Sequence, residues 1–560
     1  MMITKKVITI SDYIICLVLS LAMVAAPFYI NTGRCEFTVA YLFTVIIVFI
    51  GLVIIDYLIR ISISKSVQKR QSNFIIWNTI INSKYSVLWL TLIILAFWFP
   101  IIFALYPGTL INDTWGQLSE YIRYYNIGGT YYGRLSDHHP FVDTLIMGSI
   151  ITPFGEKLQN WQLGFFVYTI FQVILTACSF SCAIIYLYKK LNVKSLYLFV
   201  ITFFYSLCPI FPISAQTISK DALFAWVYVL FMILFVEVIN TQGKCFYNIK
   251  YVLPMIAVSV LCICTKKVGL YVIGISLLSI VVFIPKVRVR SLVTFGIVIF
   301  MSVGIMGLIK SSMGVLPGGK QEMFSIPFQQ TARYIKEHKN DITKQEYQSI
   351  GKLIDIKTVD EKYDPINADP IKGYEDKTNV KEFKNYLLSW YQEGLRHPKT
   401  YFAAFNAMVS GWFSFTEYIP LTNMEWHSQL NTKLMPESSA IRPKFFNSSS
   451  KIVQEVFDNL YYNSIFQIFL SYAFYAALMP GFIIATICRK WDVRKLKYYW
   501  IMVIPLILSI VLGCWLSPVS IALEGKRYLY PVIYTIPFMI GICFSMYQDQ
   551  IMENNNSKKR

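Results

Sequence analysis

Apolar runs recur along the chain, separated by short polar and basic gaps, and twelve of them are long enough to be read as membrane-crossing helices. A hydrocarbon core of roughly 30 Å takes about 20 apolar residues per helix. On that criterion the runs lie at 12–30, 38–58, 86–105, 164–187, 196–213, 221–240, 251–264, 268–285, 291–309, 464–487, 499–516 and 528–546. The pattern predicts an all-α polytopic membrane protein of about 12 transmembrane helices.

The pattern changes between the ninth and tenth runs. There "PFQQTARYIKEHKN", "VKEFKNYLLSWYQEGLRHP" and "PKTYFAAFNAMVSGWF" carry apolar residues at helical spacing, and Pro398 closes one pattern while opening the next. A segment of roughly 150 residues is large enough to bury a core of its own. Four regions follow: 1–85, two spans and a cytoplasmic loop; 86–309, seven spans with an exterior loop at 106–163; 310–462, a mostly helical extracytoplasmic domain; and 463–560, three spans and a cytoplasmic tail. "NSSS" at 447–450 reads as a polar loop and the terminal "NNNSKKR" as a solvated tail.

Charge gives the orientation, because Lys and Arg close to a span resist translocation. Lys5 and Lys6, the cluster from Arg60 to Lys84, Lys189 to Lys194, Lys244 and Lys250, Lys286 to Arg290, Arg489 to Lys497, and Lys558 to Arg560 fall in alternate loops. Those loops are read as cytoplasmic, with both termini inside. Pro27 after Ala26 disfavours signal cleavage, so the first span is read as an uncleaved anchor.

Composition agrees with this class: mean hydropathy is +0.50, with 55% hydrophobic and only 15% charged residues. The net charge of +19 belongs to the cytoplasmic rim, since residues 310–462 hold 19 basic and 18 acidic side chains. A nucleic-acid partner is not indicated. Among the eleven cysteines there is no CxxC pair, no disulfide framework is expected, and Cys178 and Cys182 read as small apolar residues on one span.

The candidate chemistry lies where charges break this pattern. Asp113 follows the third span in "ALYPGTLINDTWGQL", and the same loop continues into "RLSDHHPFVDTL" with His138 and His139. Lys220 and Asp221 open the sixth span, Lys266 and Lys267 separate the seventh from the eighth, and Lys526, Arg527 and Tyr528 precede the last. The topology puts all of them at the outer face, where fixed cations can hold an anionic lipid phosphate and a nearby carboxylate can act as general base. The alternatives are snorkelling for the lysines and arginine and a helix cap for Asp113. Adjacent histidines orient neighbours more readily than they share a metal. The aromatic run "GWFSFTEYIP" with Trp426 and His427 suits either the membrane interface or sugar stacking.

"YPGTLINDTWGQ", "HHPFVDTL", "SKDALF", "SIPFQQTARYI", "DPIK" and "GKRYLYP", in that layout, resemble the GT-C superfamily of polyprenyl-phosphate-sugar-dependent glycosyltransferases, and more narrowly an uncharacterised bacterial multi-spanning family of that type. The resemblance covers most of the chain from about residue 86. It implies a bacterial plasma-membrane enzyme with a polyprenyl-phosphate-linked sugar donor, inversion at the anomeric carbon, and an envelope glycan, lipid or protein acceptor. Asp113 would be the catalytic carboxylate, His138 and His139 would shape the acceptor side, and Lys220, Lys267 and Arg527, with Asp221, Lys266 and Tyr528, would form the donor side. A divalent cation is used by some members of the superfamily and not by others. One departure is that the catalytic loop follows the third span rather than the first. Two rival readings are a lipid-linked-sugar flippase or transporter and a non-catalytic envelope-assembly protein.

Overall fold

The computed structural model describes residues 9–68, 75–125, 133–372, 379–417, 443–462, 466–489, 493–517 and 525–559. The protein is an all-α polytopic membrane protein. Eight helices are long and apolar enough to cross a membrane: Ile10–Thr32, Val39–Lys65, Ser86–Ala104, Trp161–Lys189, Lys220–Asn240, Pro285–Ser312, Lys497–Trp515 and Gly525–Gln548. Three apolar helices are shorter: Ile249–Thr265, Gly269–Phe283 and Phe474–Cys488.

The run expected to be one span at 196–213 is instead two helices, Ser195–Leu207 and Ile210–Gln216, bent by 54°. Proline explains the break. Pro209 has no N–H to continue the helix, and the residue before it, Cys208, is extended (φ −73°, ψ 117°). Three other expectations change. "NSSS" lies inside the Lys444–Tyr462 helix, the "NNNSKK" segment continues the Tyr530–Lys559 helix, and the tenth run contains a separate turn at Gln467–Leu470. Trp426 and His427 lie outside the described residues.

One core runs through the bundle, centred on Lys220–Asn240 and Gly525–Gln548, whose apolar side chains are almost all buried. A second core, built on Phe328, Tyr334, Ile335, Ile350 and Tyr386, belongs to the 310–462 segment. That segment is not one body, however. Its Lys444–Tyr462 helix lies against the Ser86–Ala104 span, where Phe446 meets Phe103 and stacks on Tyr106, and Phe457 joins the bundle core. Tyr401, at the start of Pro398–Ser410, belongs to the second core, and Val409, near its end, belongs to the bundle core.

The 310–462 segment marks one end of the bundle. Arg333 donates to the carbonyl of Gly33, just past the first helix, at 2.6 Å. Leu316 bridges Ser136, and Lys310 pairs with Asp137 at 3.0 Å. Asp12 sits at the start of the first helix, some 20 residues and hence about 30 Å away. At that opposite end Arg60 pairs with Asp56 at 2.7 Å and with Asp12 at 3.1 Å, bonds the Tyr547 hydroxyl, and lies over the Phe482 ring. Arg489 closes on Asp12 at 2.5 Å.

This network ties the first two helices to the Met479–Cys488 helix and the final helix. Its two central groups are buried, with Arg60 at 2% and Asp12 at 1% side-chain exposure. Removing one partner of such a pair strands the other charge, at a cost of about 3–5 kcal/mol. Arg60→Ala should therefore lower the thermal unfolding midpoint of the detergent-solubilised protein sharply. An unchanged midpoint would show that the network does not carry the docking of the first two helices.

Candidate functional site

A short parallel pairing fixes the frame of the site. β1 (Thr109–Leu110) pairs with β2 (Thr217–Ile218), joining the chain just before Asp113 to the chain just before Lys220. Buried polar side chains hold this pairing where no water is available to satisfy backbone groups. Gln172 donates to the carbonyls of Ala215 and Thr217 at 2.7 and 2.8 Å, Gln216 to Thr109 Oγ1 at 2.6 Å, and Thr169 to the Pro107 carbonyl at 2.9 Å. Gly108 has φ +123°, and a Cβ there would collide with Thr169 Oγ1, so the approach admits only glycine.

The Asn112–Tyr125 helix begins beyond β1 and buries Trp115, Leu118 and Ile122 at helical spacing. The Thr114 hydroxyl accepts from the Ile111 N–H and donates to the Ile218 carbonyl, which binds the helix start to β2. Asp113 is in the first turn, and its Oδ2 is taken by cations: Lys220 Nζ at 2.7 Å and Arg527 NH1 at 2.9 Å. The helix expected at this point forms. These ion pairs give Asp113 a role that a helix cap does not describe.

Lys220 and Asp221 open their helix beneath the Ser219 cap, which accepts from the Ala222 N–H. Asp221 is fully buried and pairs with Lys266 Nζ at 2.7 Å and Arg527 Nε at 3.4 Å. The Lys266 ammonium lies 5.4 Å from the Phe224 ring centre and 5.5 Å from that of Tyr528, a cation–π arrangement. Arg527 bridges the two carboxylates. Three cations thus face two carboxylates in one cluster, leaving an excess of one positive charge.

His139 completes the cluster. Its Nδ1 lies 2.9 Å from Lys220 Nζ and 3.8 Å from Asp113 Oδ2. An ammonium only donates, so Nδ1 accepts and a neutral ring carries its proton on Nε2. Burial and the neighbouring Lys220 charge lower the imidazole to about 3. Burial also pushes the Asp113 carboxyl up, but Lys220 and Arg527 outweigh it and hold Asp113 well below the usual carboxylate range. At neutral pH the site therefore contains an ionised Asp113 and an uncharged His139.

Two expected members sit apart. Lys267 is exposed, with its ammonium beside the Gly318 backbone, whereas its neighbour Lys266 takes the buried position. Consecutive residues leaving a helix point to different sides, and Thr265 is the last helical residue. His138 is also exposed. It meets His139 edge-on, with ring centres 4.7 Å apart. Sequence reasoning passed over Asp143, which is buried in the Phe141–Thr152 helix and accepts from Gln117 Nε2 at 2.7 Å. Burial raises its carboxyl to about 7. The signal was present, since an ionisable residue within the apolar "FVDTLIMGSI" run has to be buried against a partner.

The cations crowding Asp113 and His139 make the cluster unfavourable for a divalent metal. Among the described residues, the grouping with metal-ligand geometry lies elsewhere, at His338, Asp341 and His397.

The raised Asp143 carboxyl has a consequence for stability. Folded Asp143 keeps its proton up to about pH 7, whereas the unfolded chain releases it near the ordinary value of 3.8. The folded state therefore loses stability as pH rises between those values. Asp143→Asn should remove this loss, so that its stability advantage over wild type grows from pH 5 to pH 8 in thermal unfolding. A difference that stays flat across that range would mean that Asp143 titrates normally.

The chain matches a family described as a family of unknown function (DUF6020) over residues 129–559. The matched stretch contains His139, Lys220, Asp221, Lys266 and Arg527 and begins after Asp113. No curated protein and no solved structure matches the chain. By a match over well more than half its length, the chain belongs to the DUF6020 family.

Proposed function

We propose that the protein is an inverting glycosyltransferase of GT-C type, taking a sugar from a polyprenyl-phosphate carrier to an envelope acceptor at the outer face of a bacterial plasma membrane. In this reading all twelve apolar segments cross the bilayer, both termini are cytoplasmic, and the Asp113 end of the bundle faces outward. The observation that carries the reading is Asp113 held between Lys220 and Arg527, at 2.7 and 2.9 Å, within a cluster that has one more cation than carboxylates.

That arrangement suggests an exchange. A carboxylate with a strongly depressed pKa is a poor base, so Asp113 is inactive while its cations stay on it. An arriving donor phosphate competes for Lys220 and Arg527 by charge-assisted hydrogen bonds. Its binding returns Asp113 toward ordinary or higher basicity, because burial remains and the cations are shared. The acceptor hydroxyl oxygen then attacks the anomeric carbon, its proton passes to Asp113, and the bond from that carbon to the phosphate oxygen breaks. The phosphate departs on its lipid with the electron pair, neutralised by Lys220 and Arg527. Neutral His139 accepts from Lys220 through Nδ1 and so keeps the ammonium oriented. Fixed cations in these positions supply the charge stabilisation that a metal ion would otherwise provide.

A flippase is favoured less. The described charge clusters lie toward the two ends of the bundle, around Asp113 and around Asp12 and Arg60, rather than at its centre.

The test is release of free undecaprenyl phosphate from a panel of undecaprenyl-phosphate sugars by the purified protein. Wild type should release it with one donor, and Asp113→Asn should be slower by roughly 10²–10⁴-fold, the range for loss of a general base. Lys267→Ala should match wild type within about 2-fold, because its ammonium lies outside the cluster. Equal release by wild type and by a folded Asp113→Asn would remove Asp113 from the chemistry.

A further inference from the structure

His338, Asp341 and His397 come together on the 310–462 segment, on the same side as the Asp113 cluster but within the second core's own helices. We infer that these three side chains form a binding site for a divalent transition-metal ion of the Zn²⁺ class, with a fourth position open to water. Two nitrogens approach one carboxylate oxygen: His397 Nε2 lies 3.2 Å from Asp341 Oδ2, and His338 Nδ1 lies 3.9 Å from it. The ligand atoms of all three residues lie within 4.8 Å of one another. With metal–ligand bonds of about 2.0–2.2 Å, tetrahedral coordination sets ligand atoms roughly 3.3–3.6 Å apart. Small ring rotations bring the present distances into that range.

The hydrogen-bonding partners around the cluster place a proton on His338 Nε2. Thr400 Oγ1 gives its only hydrogen to Glu337 Oε2, at 3.0 Å. Glu337 is an ionised acceptor, held by Arg34 at 2.9 Å and Arg333 at 2.8 Å. The Thr400 oxygen, 2.9 Å from His338 Nε2, must therefore accept from that nitrogen. A neutral His338 with its proton on Nε2 turns a bare Nδ1 lone pair toward Asp341. In that tautomer Nδ1 and the Asp341 carboxylate are both electron-pair donors available to a shared cation. This Glu–Thr–His relay has the form of the outer shell that orients metal-binding histidines.

His338 and His397 are the C-terminal caps of the Ser325–Glu337 and Val380–Arg396 helices, and His397 also begins the Pro398–Ser410 helix, so the helix-end potentials at the cluster largely offset. The imidazole rings stack at 3.8 Å, a contact that two protonated rings would oppose. The nearby Arg396 guanidinium is engaged by Glu346 at 2.6 Å, which offsets its repulsion.

The experiment uses the full chain, purified with a histidine-free tag, stripped by a chelator and incubated with Zn²⁺ alone or with Co²⁺ alone. Bound metal is measured by elemental analysis after desalting and by the visible d–d absorption of the Co²⁺ form. One ion per chain is expected, with binding weakened at least tenfold in Asp341→Asn and lost in His338→Ala/His397→Ala. Thr400→Val keeps every ligand and should weaken binding about 10–100-fold by releasing the tautomer. His427→Ala should bind as wild type does. Failure of wild type to retain metal, or equal retention by wild type, Asp341→Asn and Thr400→Val, overturns the assignment.

Discussion

The carboxylate of Asp113, gripped by an ammonium and a guanidinium, is the contact on which the site depends. Its three members come from distant parts of the chain: a loop after the Ser86–Ala104 span, the first turn of Lys220–Asn240, and the turn before the final helix. Bringing charges into a bundle surrounded by lipid is expensive, and well-packed apolar residues would serve stability as well or better. A cluster with one more cation than carboxylates is therefore better explained by an anionic ligand than by fold stability alone. The β1–β2 pairing, Thr114, Gln172 and Gln216 hold the first two of these segments in register, and the third joins them through the pairs of Arg527 with Asp113 and Asp221.

The two ends of the bundle use the same physics differently. Around Asp113 the charges are unbalanced and a neutral histidine stands beside them. Around Asp12 two carboxylates face two guanidiniums, Arg60 and Arg489, in a balanced set further tied to Tyr547 and Thr486. A balanced, bidentate network suits a permanent joint between helices. An unbalanced one suits exchange with a partner that arrives and leaves.

Much of this was legible in the sequence because membrane burial leaves strong local signals. Among the described residues the twelve apolar runs fall on helical segments, eight of them in helices long and apolar enough to cross a membrane, and the convergence of the residue 220, 266 and 527 positions with Asp113 follows from charges that break the alternation of the loops. What the sequence did not reveal was direction. Lys266 and Lys267 are equivalent in composition, and only the end of the helix at Thr265 decides which one turns inward. Pro209 broke a span because it forces Cys208 out of the helix, a local rule that a sliding count of apolar residues ignores. Asp143 is a single ionisable residue in an otherwise apolar helix, and its partner Gln117 lies on another element. His338 and His397 are 59 positions apart, and no spacing rule joins them. They meet because two helices end at the same place. The Lys444–Tyr462 helix falls in the 310–462 unit by position alone, because its apolar face gives no indication of which partner it covers.

The central claim is that Asp113 occupies cations which a carrier-lipid phosphate must win. Native mass spectrometry of the purified protein with undecaprenyl phosphate tests it directly, comparing wild type, Asp113→Asn and Lys220→Met/Arg527→Met. The account predicts that Asp113→Asn binds the lipid phosphate more tightly than wild type, because the competing carboxylate charge is gone, and that the double variant binds it much more weakly. Equal binding by all three, or weaker binding by a folded Asp113→Asn, would contradict it.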